Sequence, residues 1–238
     1  ETQITTYGKI NNIINGATDW VYEEEFSFDK AWMWSPDGKK IAFYRFDESE
    51  VNEFSMNKYG SLYPTEYKFK YPKAGQKNSV TAIYFYDVAT QKIISADLGN
   101  NYEYIPRIKW TNNPDILSVQ LMNRLQNKLE LLLADASTGK AKTILTETSN
   151  TYLEFYDELL FLSDGSFICL SDKDGYNHLY LYDINGKLIN QITKGNWDVK
   201  ELKACDEKTK TVFFTSAEVS PADKNLYSIR TDGTNKKK

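Results

Sequence analysis

The feature that most constrains this fold is a repeat with a period of about 48 residues. Four strand-like segments rich in aromatic and β-branched residues each end in a turn, and the turn positions 87, 135, 183 and 230 are 48, 48 and 47 residues apart. The segments themselves are residues 82–87, 129–135, 178–183 and 225–230. A fixed period of this length indicates a chain built from copies of one supersecondary unit.

Each repeat also contains a second hairpin, upstream of the first. Residues 34–44 and 161–168 each carry an Asp-Gly pair, which supplies the positive φ of a tight turn, and residues 110–119 occupy the same place in the repeat between them. Two hairpins make four strands, and four strands in about 48 residues are typical of one propeller blade. The sequence therefore predicts an all-β partial β-propeller of about four blades, each of four antiparallel strands, forming one domain over residues 1–238.

One short helix is expected, in which Thr18 and Asp19 form a capping pair ahead of three glutamates at 23–25. The triplet lies among apolar residues, namely Trp20, Val21, Tyr22, Phe26 and Phe28. A run of glutamates is most often a solvated helix face, but crowded carboxylates near apolar surface favour a cationic partner. Successive helix residues lie about 100° apart, so two neighbouring carboxylates can converge on one ammonium group.

A long segment, residues 52–78, interrupts the first complete blade between its second and third strands. It contains two prolines and four tyrosines, which are Tyr59, Tyr63, Tyr67 and Tyr71. A loop of this length in a compact domain is usually functional or disordered. The tyrosines and the scarcity of serine and glycine predict an ordered arm that contacts a partner.

Charge and residue usage exclude several functions. With 29 Lys and Arg against 33 Asp and Glu, the formal charge of −4 argues against a nucleic-acid partner. No apolar run approaches the roughly 20 residues of a membrane-spanning helix. Cys169, Cys205 and the single histidine, His178, cannot form a plausible zinc site. We interpret both cysteines as buried structural thiols and His178 as a satisfied residue at the start of a strand.

The chain also lacks residues for catalysis of its own. There is no Gly-x-Ser-x-Gly elbow, and its single histidine begins a predicted strand. No glycine-rich phosphate loop, dinucleotide fingerprint or metal-ligand cluster occurs. We therefore predict no catalytic residue, no metal and no cofactor, which leaves the acidic triplet as the candidate site.

Three motifs give the chain a specific resemblance. They are Asp-Trp-Val-Tyr-Glu-Glu-Glu at 19–25, Trp-Ser-Pro-Asp-Gly at 34–38, and Tyr-Pro-Lys-Ala-Gly at 71–75 followed by Asn78. In order and spacing they resemble the N-terminal propeller of the dipeptidyl peptidase IV family, as do the stretches at 175–178, 192–199 and 225–227. The resemblance covers essentially the whole chain.

The resemblance implies roles for particular residues. In that family the last two glutamates of the motif bind the free N-terminal ammonium of a peptide, which carries over to Glu24 and Glu25, with Glu23 as the outward neighbour. An amine held at a fixed distance from the nucleophilic serine leaves room for two residues before the scissile bond. A further apolar contact comes from residues 151–157, where Phe155 or Tyr156 could serve. The family also has an arginine close to that apolar contact, and no equivalent arginine is evident in residues 151–157. A second arginine, which the family takes from an earlier blade, is not included in this sequence.

The resemblance also implies partners and a compartment. The catalytic triad of such enzymes lies in an α/β-hydrolase domain after the propeller, so this chain is expected to gate and bind substrate in a serine exopeptidase that releases X-Pro or X-Ala dipeptides. The implied partners are a peptide with a free N-terminus, the hydrolase domain and a second copy bound through residues 52–78, in the periplasm or at the cell exterior. Two alternatives stay open: the propeller of a prolyl tripeptidyl aminopeptidase, and a noncatalytic interaction scaffold.

Overall fold

The computed structural model describes residues 2–238, which form eighteen strands and one short helix. The strands build four antiparallel sheets in chain order and one separate two-stranded hairpin. The repeat segments found in the sequence are the third strands of these sheets, so the prediction of about four antiparallel blades is confirmed. No helix within residues 2–238 is long and apolar enough to cross a membrane.

The first blade has an interrupted first strand. The chain up to residue 95 forms β1 (Ile13–Asn15), α1 (Trp20–Glu25), β2 (Trp32–Trp34), β3 (Lys40–Asp47), β4 (Glu53–Lys58), β5 (Thr65–Lys70), β6 (Val80–Asp87) and β7 (Ile93–Ser95). Both β1 and β2 pair with the edge of β3 that β6 leaves free, with Asn15 opposite Arg45 and Trp32 opposite Phe43. Helix α1 is therefore an insertion within one strand, and the sheet holds the chain on both sides of it.

The other blades follow one simpler pattern. The second contains β8 (Ile108–Trp110), β9 (Ile116–Met122), β10 (Lys128–Asp135) and β11 (Ala141–Thr148); the third contains β12 (Leu160–Phe161), β13 (Phe167–Ser171), β14 (His178–Tyr182) and β15 (Leu188–Gln191); the fourth contains β16 (Val199–Asp206), β17 (Thr211–Ser216) and β18 (Asn225–Arg230). Strands that are neighbours in sequence pair with each other throughout. In the fourth blade, a bridge between Ser228 and Lys237 lies where a fourth strand would begin.

Three apolar clusters join the blades, each between two consecutive sheets. The first packs β3 and β6 against β9 and β10, the second packs β10 against β13 and β14, and the third packs β13 and β14 against β17 and β18. Side chains alternate along the strands, so that in β10 Leu131 belongs to the second cluster and Ala134 to the first. Within residues 2–238 no apolar cluster joins the fourth blade to the first.

Residues 52–78 contain the hairpin of β4 and β5, in which Glu53 lies opposite Lys70. Aromatic rings line its base, where Phe54 lies 5.8 Å from Phe69 and 5.4 Å from Tyr71 between ring centroids. Its tip carries three strongly exposed apolar side chains, those of Tyr59, Leu62 and Tyr63. The segment is thus an ordered hairpin whose apolar tip is left uncovered by residues 2–238.

The connections between strands divide the molecule into two faces, because alternate connections of an antiparallel sheet emerge at opposite ends of its strands. The turn face consists of short connections at 35–39, 88–92, 111–115, 136–140, 162–166, 183–187, 207–210 and 231–236. The loop face consists of α1 and the connections 48–79, 96–107, 123–127, 149–159, 172–177, 192–198 and 217–224. The acidic triplet lies on the loop face.

Candidate functional site

Asp19 holds the N-terminus of helix α1 in place. Its carboxylate accepts a hydrogen bond from the backbone N–H of Tyr22 at 3.0 Å, which caps the helix. The hydroxyl of Ser79 donates to the other oxygen of the same carboxylate. Burial raises the pKa of Asp19, while the bonds from Ser79 and from the backbone oppose that rise. Ser79 is the last residue of the connection 48–79, which contains the arm. The buried Asp19 side chain therefore links helix α1 to the end of that connection.

Tyr22 anchors the helix to the blades. Its side chain is 2% exposed, and its hydroxyl accepts a hydrogen bond from the backbone N–H of Ile105 at 2.8 Å. Its ring lies 4.8–6.1 Å from four other aromatic rings, which are those of Phe26, Phe28, Tyr44 and Phe46. Next to it in the chain, Trp20 packs edge-on against Tyr71 of the arm, with 4.3 Å between ring centroids. The helix is therefore fixed by both the blades and the arm.

Glu23, Glu24 and Glu25 are all exposed at the end of this rigid support. None of them forms an ion pair with any of residues 2–238. Adjacent carboxylates repel one another, and a cation between them relieves that repulsion. At about 4 Å and an effective dielectric constant near 20, each carboxylate–ammonium contact has a Coulomb energy of about 4 kcal/mol before desolvation is subtracted. The arrangement is suited to bind a primary ammonium group.

An aromatic wall stands beside the C-terminal end of the helix. Phe26, which follows Glu25, packs against Tyr104 at 5.5 Å and against Phe155 at 5.7 Å between ring centroids. Phe155 is half-buried and lines a cavity of about 610 Å³. The acidic residues around this cavity are Glu147, Glu154, Asp157, Glu158, Asp172 and Asp198. The structure thus brings Phe155 next to the helix that carries Glu24 and Glu25, on an acidic part of the loop face.

Two tyrosines near the C-terminal end of the helix have raised pKa values. Burial raises the pKa of Tyr104, and the nearby charges of Glu103 and Glu25 add to the rise. Burial likewise raises the pKa of Tyr152, and Glu154 and Glu25 add to it. The packing agrees with this, since Phe26, the residue after Glu25, contacts Tyr104 and Phe155, and the C-terminal end of the helix therefore lies beside the connections 96–107 and 149–159.

Tyr156 occupies a different environment from its neighbour Phe155. Its side chain is 3% exposed and belongs to the cluster between the second and third blades. Its backbone exchanges two hydrogen bonds with the side chain of Gln120, both of 2.8 Å. A peptide cannot reach this ring without opening the core. Burial therefore argues against the predicted substrate contact by Tyr156, whereas the half-buried Phe155 is accessible from the cavity that it lines.

Sequence reasoning missed Arg107. Its guanidinium carbon lies 4.6 Å from the ring centroid of Phe155 and 5.3 Å from that of Phe28, and its Nε donates to Asp157 at 2.7 Å. These partners are at least 48 residues away in the chain. No local pattern could have identified Arg107, because the contacts exist only once the blades have packed.

The histidine and the cysteines belong to strands of the third and fourth blades. His178 is fully buried, with Nδ1 3.1 Å from the hydroxyl of Thr193 and Nε2 2.9 Å from the carbonyl oxygen of Gly195, so both ring nitrogens are occupied. Cys169 is buried, which raises the pKa of its thiol, whereas Cys205 is only half-buried. Within residues 2–238 no three potential metal-ligating side chains come together. The burial of Cys169 and His178 agrees with their interpretation as structural residues. Cys205 is only half-buried and so differs from the buried thiol that the sequence predicted.

Comparisons with known proteins show which chains share this architecture. The family described as the dipeptidyl peptidase IV (DPP IV) N-terminal region matches residues 1–238. The crystal structure of Porphyromonas gingivalis dipeptidyl peptidase 4 is similar with a TM-score of 0.92 and 43% identity, covering 99% of this chain and 34% of that one.

Two curated relatives extend the comparison. Inactive dipeptidyl peptidase 10 of Mus musculus is 34% identical over 97% of this chain and 31% of its own length. Dipeptidyl peptidase 4 of Trichophyton equinum is 27% identical over 97% of this chain and 32% of its own length. The chain thus spans about a third of the length of the proteins it matches.

Proposed function

The chain belongs to the family of dipeptidyl peptidase IV N-terminal regions, and from this premise we propose that it binds the free N-terminus of peptides for a serine exopeptidase. In this proposal Glu24 and Glu25 bind the substrate ammonium, Phe155 offers apolar surface beside it, and a hydrolase domain of the same protein cleaves the peptide to release X-Pro or X-Ala dipeptides. The observation that carries the proposal is the set of exposed carboxylates, without a cation from residues 2–238, on a helix held by Asp19 and Tyr22.

The selectivity for a free N-terminus follows from charge. One ammonium group can pair with both carboxylates and relieve the repulsion between them, whereas an acylated amine is neutral and leaves both of them unpaired. Because α1 is already fixed, little conformational entropy is lost at the site when a peptide binds. Binding energy gained at the amine, away from the reacting bond, then positions the peptide for cleavage.

The test uses the full-length protein and a chromogenic X-Pro dipeptide. We expect Glu24→Gln and Glu25→Gln each to lower kcat/KM by about 30-fold or more, which corresponds to about 2 kcal/mol of transition-state binding. The matched control is Glu23→Gln, which removes one carboxylate of the same triplet and is expected to change kcat/KM by about twofold at most. Near wild-type hydrolysis by both of the first two variants would contradict the assignment.

The proposal extends to a homodimer formed through the arm. Its support is the exposed apolar tip at Tyr59, Leu62 and Tyr63, since exposed apolar surface on an ordered element often marks an interface. Light scattering on the full-length protein should give the mass of a dimer, and Tyr59→Ser combined with Tyr63→Ser should give that of a monomer. An unchanged dimer in the double variant would show that the arm tip is not the contact.

We place the protein in the periplasm or at the cell exterior, on the family resemblance alone. Cell fractionation followed by immunodetection checks this placement. Detection only in the cytoplasmic fraction would contradict it.

A noncatalytic interaction scaffold is the second candidate function, because a relative with 34% identity is an inactive dipeptidyl peptidase. Labelling of the full-length protein with a fluorophosphonate probe would distinguish the two, since only an active serine reacts. Turnover of X-Pro against X-X-Pro chromogenic substrates then separates dipeptidyl from tripeptidyl activity.

A further inference from the structure

Arg107 joins three separate segments of the loop face. It belongs to the connection 96–107, while Phe28 follows helix α1 and Phe155 belongs to the connection 149–159. The guanidinium group lies between the two rings, 5.3 Å from the centroid of Phe28 and 4.6 Å from that of Phe155. Planar guanidinium groups stack on aromatic faces, and partial burial strengthens the attraction. The Arg107 side chain is 23% exposed, which places it in that stronger regime.

Two polar contacts fix the plane of the guanidinium group. Its Nε donates to the Asp157 carboxylate at 2.7 Å, and one terminal nitrogen donates to the carbonyl oxygen of Pro106 at 2.8 Å. The first is a charge-assisted hydrogen bond, which is shorter and stronger than a neutral one. With its Nε and one terminal nitrogen engaged inside the protein, the group is arranged to hold its neighbours.

Phe155 lies in a segment whose backbone is held at Leu153 and Tyr156, but its own ring is held by side-chain contacts. The connection 149–159 contains no strand or helix, so backbone pairing does not determine where the ring points. The ring contacts Phe26 on one side at 5.7 Å and the guanidinium group of Arg107 at 4.6 Å. Removal of the guanidinium group would leave Phe26 as the remaining aromatic contact of the ring.

We infer that Arg107 is a positioning residue, which holds the Phe155 ring beside Glu24 and Glu25 and thereby sets affinity for the first residue of the peptide. The inference rests on the proposed function, because Phe155 matters to substrate only if the amine binds at α1. In this inference Arg107 acts on the peptide only through the Phe155 ring. Because this route depends on the Phe155 ring, substitution of Arg107 should have no effect once that ring has been removed.

The experiment measures kcat and KM of the full-length protein with an X-Pro chromogenic dipeptide. We expect Arg107→Ala and Phe155→Ala each to raise KM about tenfold and to change kcat by about twofold at most, as for the loss of one apolar contact. The double variant should be no worse than Phe155→Ala alone, since Arg107 has nothing left to hold. Arg107→Lys keeps the charge beside Asp157 but lacks the planar group, so its KM should lie between those of wild type and Arg107→Ala.

Arg230→Ala is the matched control. It removes an arginine from an Arg–Asp pair, with Nε 3.6 Å from the Asp232 carboxylate, at the opposite end of the strands. Its KM should equal that of wild type. If Arg107→Ala proves too unstable to assay, Arg107→Lys and Asp157→Asn carry the test, and unchanged KM in both would overturn the inference.

Other outcomes separate the inference from the proposed function. A raised KM in Phe155→Ala with an unchanged KM in Arg107→Ala would overturn the role of Arg107. A KM raised about 100-fold in the double variant would also overturn it, because the two substitutions would then act independently. An unchanged KM in Phe155→Ala with a lowered kcat/KM in Glu25→Gln would overturn the inference and leave the amine site standing. Unchanged kinetics in Phe155→Ala, Glu24→Gln and Glu25→Gln together would overturn the proposed function itself.

Discussion

The turn face and the loop face are built by interactions of different range. On the turn face, the carboxylates of Asp87, Asp135 and Asp183 accept hydrogen bonds from backbone N–H groups two to four residues later. On the loop face, the bond between Tyr22 and Ile105 spans 83 residues. The turns themselves are therefore held by local bonds, although Lys40 also pairs with Asp115 across 75 residues, whereas the contacts that fix helix α1 to the blades form only when the blades assemble. The candidate site lies entirely on the loop face.

The largest expected effect comes from Tyr22→Ala. Removal of this buried ring should lower the free energy of unfolding by about 4 kcal/mol, because a large cavity forms and the N–H of Ile105 loses its partner. Urea unfolding followed by tryptophan fluorescence measures the loss. Hydrogen exchange should show lost protection in residues 96–107 while turn-face amides stay protected.

Tyr22→Phe is the matched control, since it keeps the ring and removes only the hydroxyl that accepts from Ile105. Its expected loss is about 1.5 kcal/mol. If Tyr22→Ala lowers hydrogen-exchange protection equally on the two faces, then the turn face and the loop face do not respond independently. That result would contradict the difference drawn between them.

The next effect concerns the turn face. Gly186→Ala should cost about 3 kcal/mol, because φ is +78° and the added Cβ would collide with the carbonyl oxygen of Ile144 in the second blade. Gly38→Ala has a similar φ of +69° but open space around the new methyl group, so only about 1 kcal/mol is expected. Thermal unfolding of both variants measures the difference. Equal costs would mean that contacts between blades do not constrain this face.

The smallest effect is a difference in pH dependence, measured by urea unfolding between about pH 2 and 7. Burial raises the pKa of Asp19, so its contribution to stability is present below its unfolded pKa of about 3.9 and is lost as pH rises through the folded value. Relative to Asp19→Asn, which retains a capping side chain, the wild type should therefore lose stability as pH rises.

Asp87 on the turn face should behave in the opposite way. The backbone N–H and the hydroxyl of Thr90 lower the pKa of Asp87, so its contribution is present above the unfolded pKa and is lost as pH falls through the folded value. Relative to Asp87→Asn, the wild type should lose stability below pH 4. The same sign for both aspartates would remove this distinction between the faces.

The repeating part of the fold could be predicted because its signals are local. The Asp-Gly pairs at 37–38 and 164–165 and the alternating third strands need only neighbouring residues to be recognised. The split first strand of the first blade could not be predicted. Its halves, β1 and β2, have three residues each, and their place is determined by pairing with β3.

Only the part of the candidate site that lies within one short sequence motif could be predicted. Glu24 and Glu25 lie next to each other in the chain, so the triplet was visible. The choice between Phe155 and Tyr156 was not, because the bonds to Gln120 that hold Tyr156 inward span 36 residues. Arg107 shows the same limit, since its pair with Asp157 spans 50 residues.

The most direct test of the central claim is the discrimination between a free and an acetylated N-terminus. With X-Pro and N-acetyl-X-Pro chromogenic substrates, the wild-type full-length protein should favour the free amine by about 100-fold or more in kcat/KM. The Glu24→Gln/Glu25→Gln variant should lose most of that preference, because no carboxylate pair remains to bind the ammonium. Retention of the full preference by this variant would contradict the claim that the loop-face carboxylates bind the substrate amine.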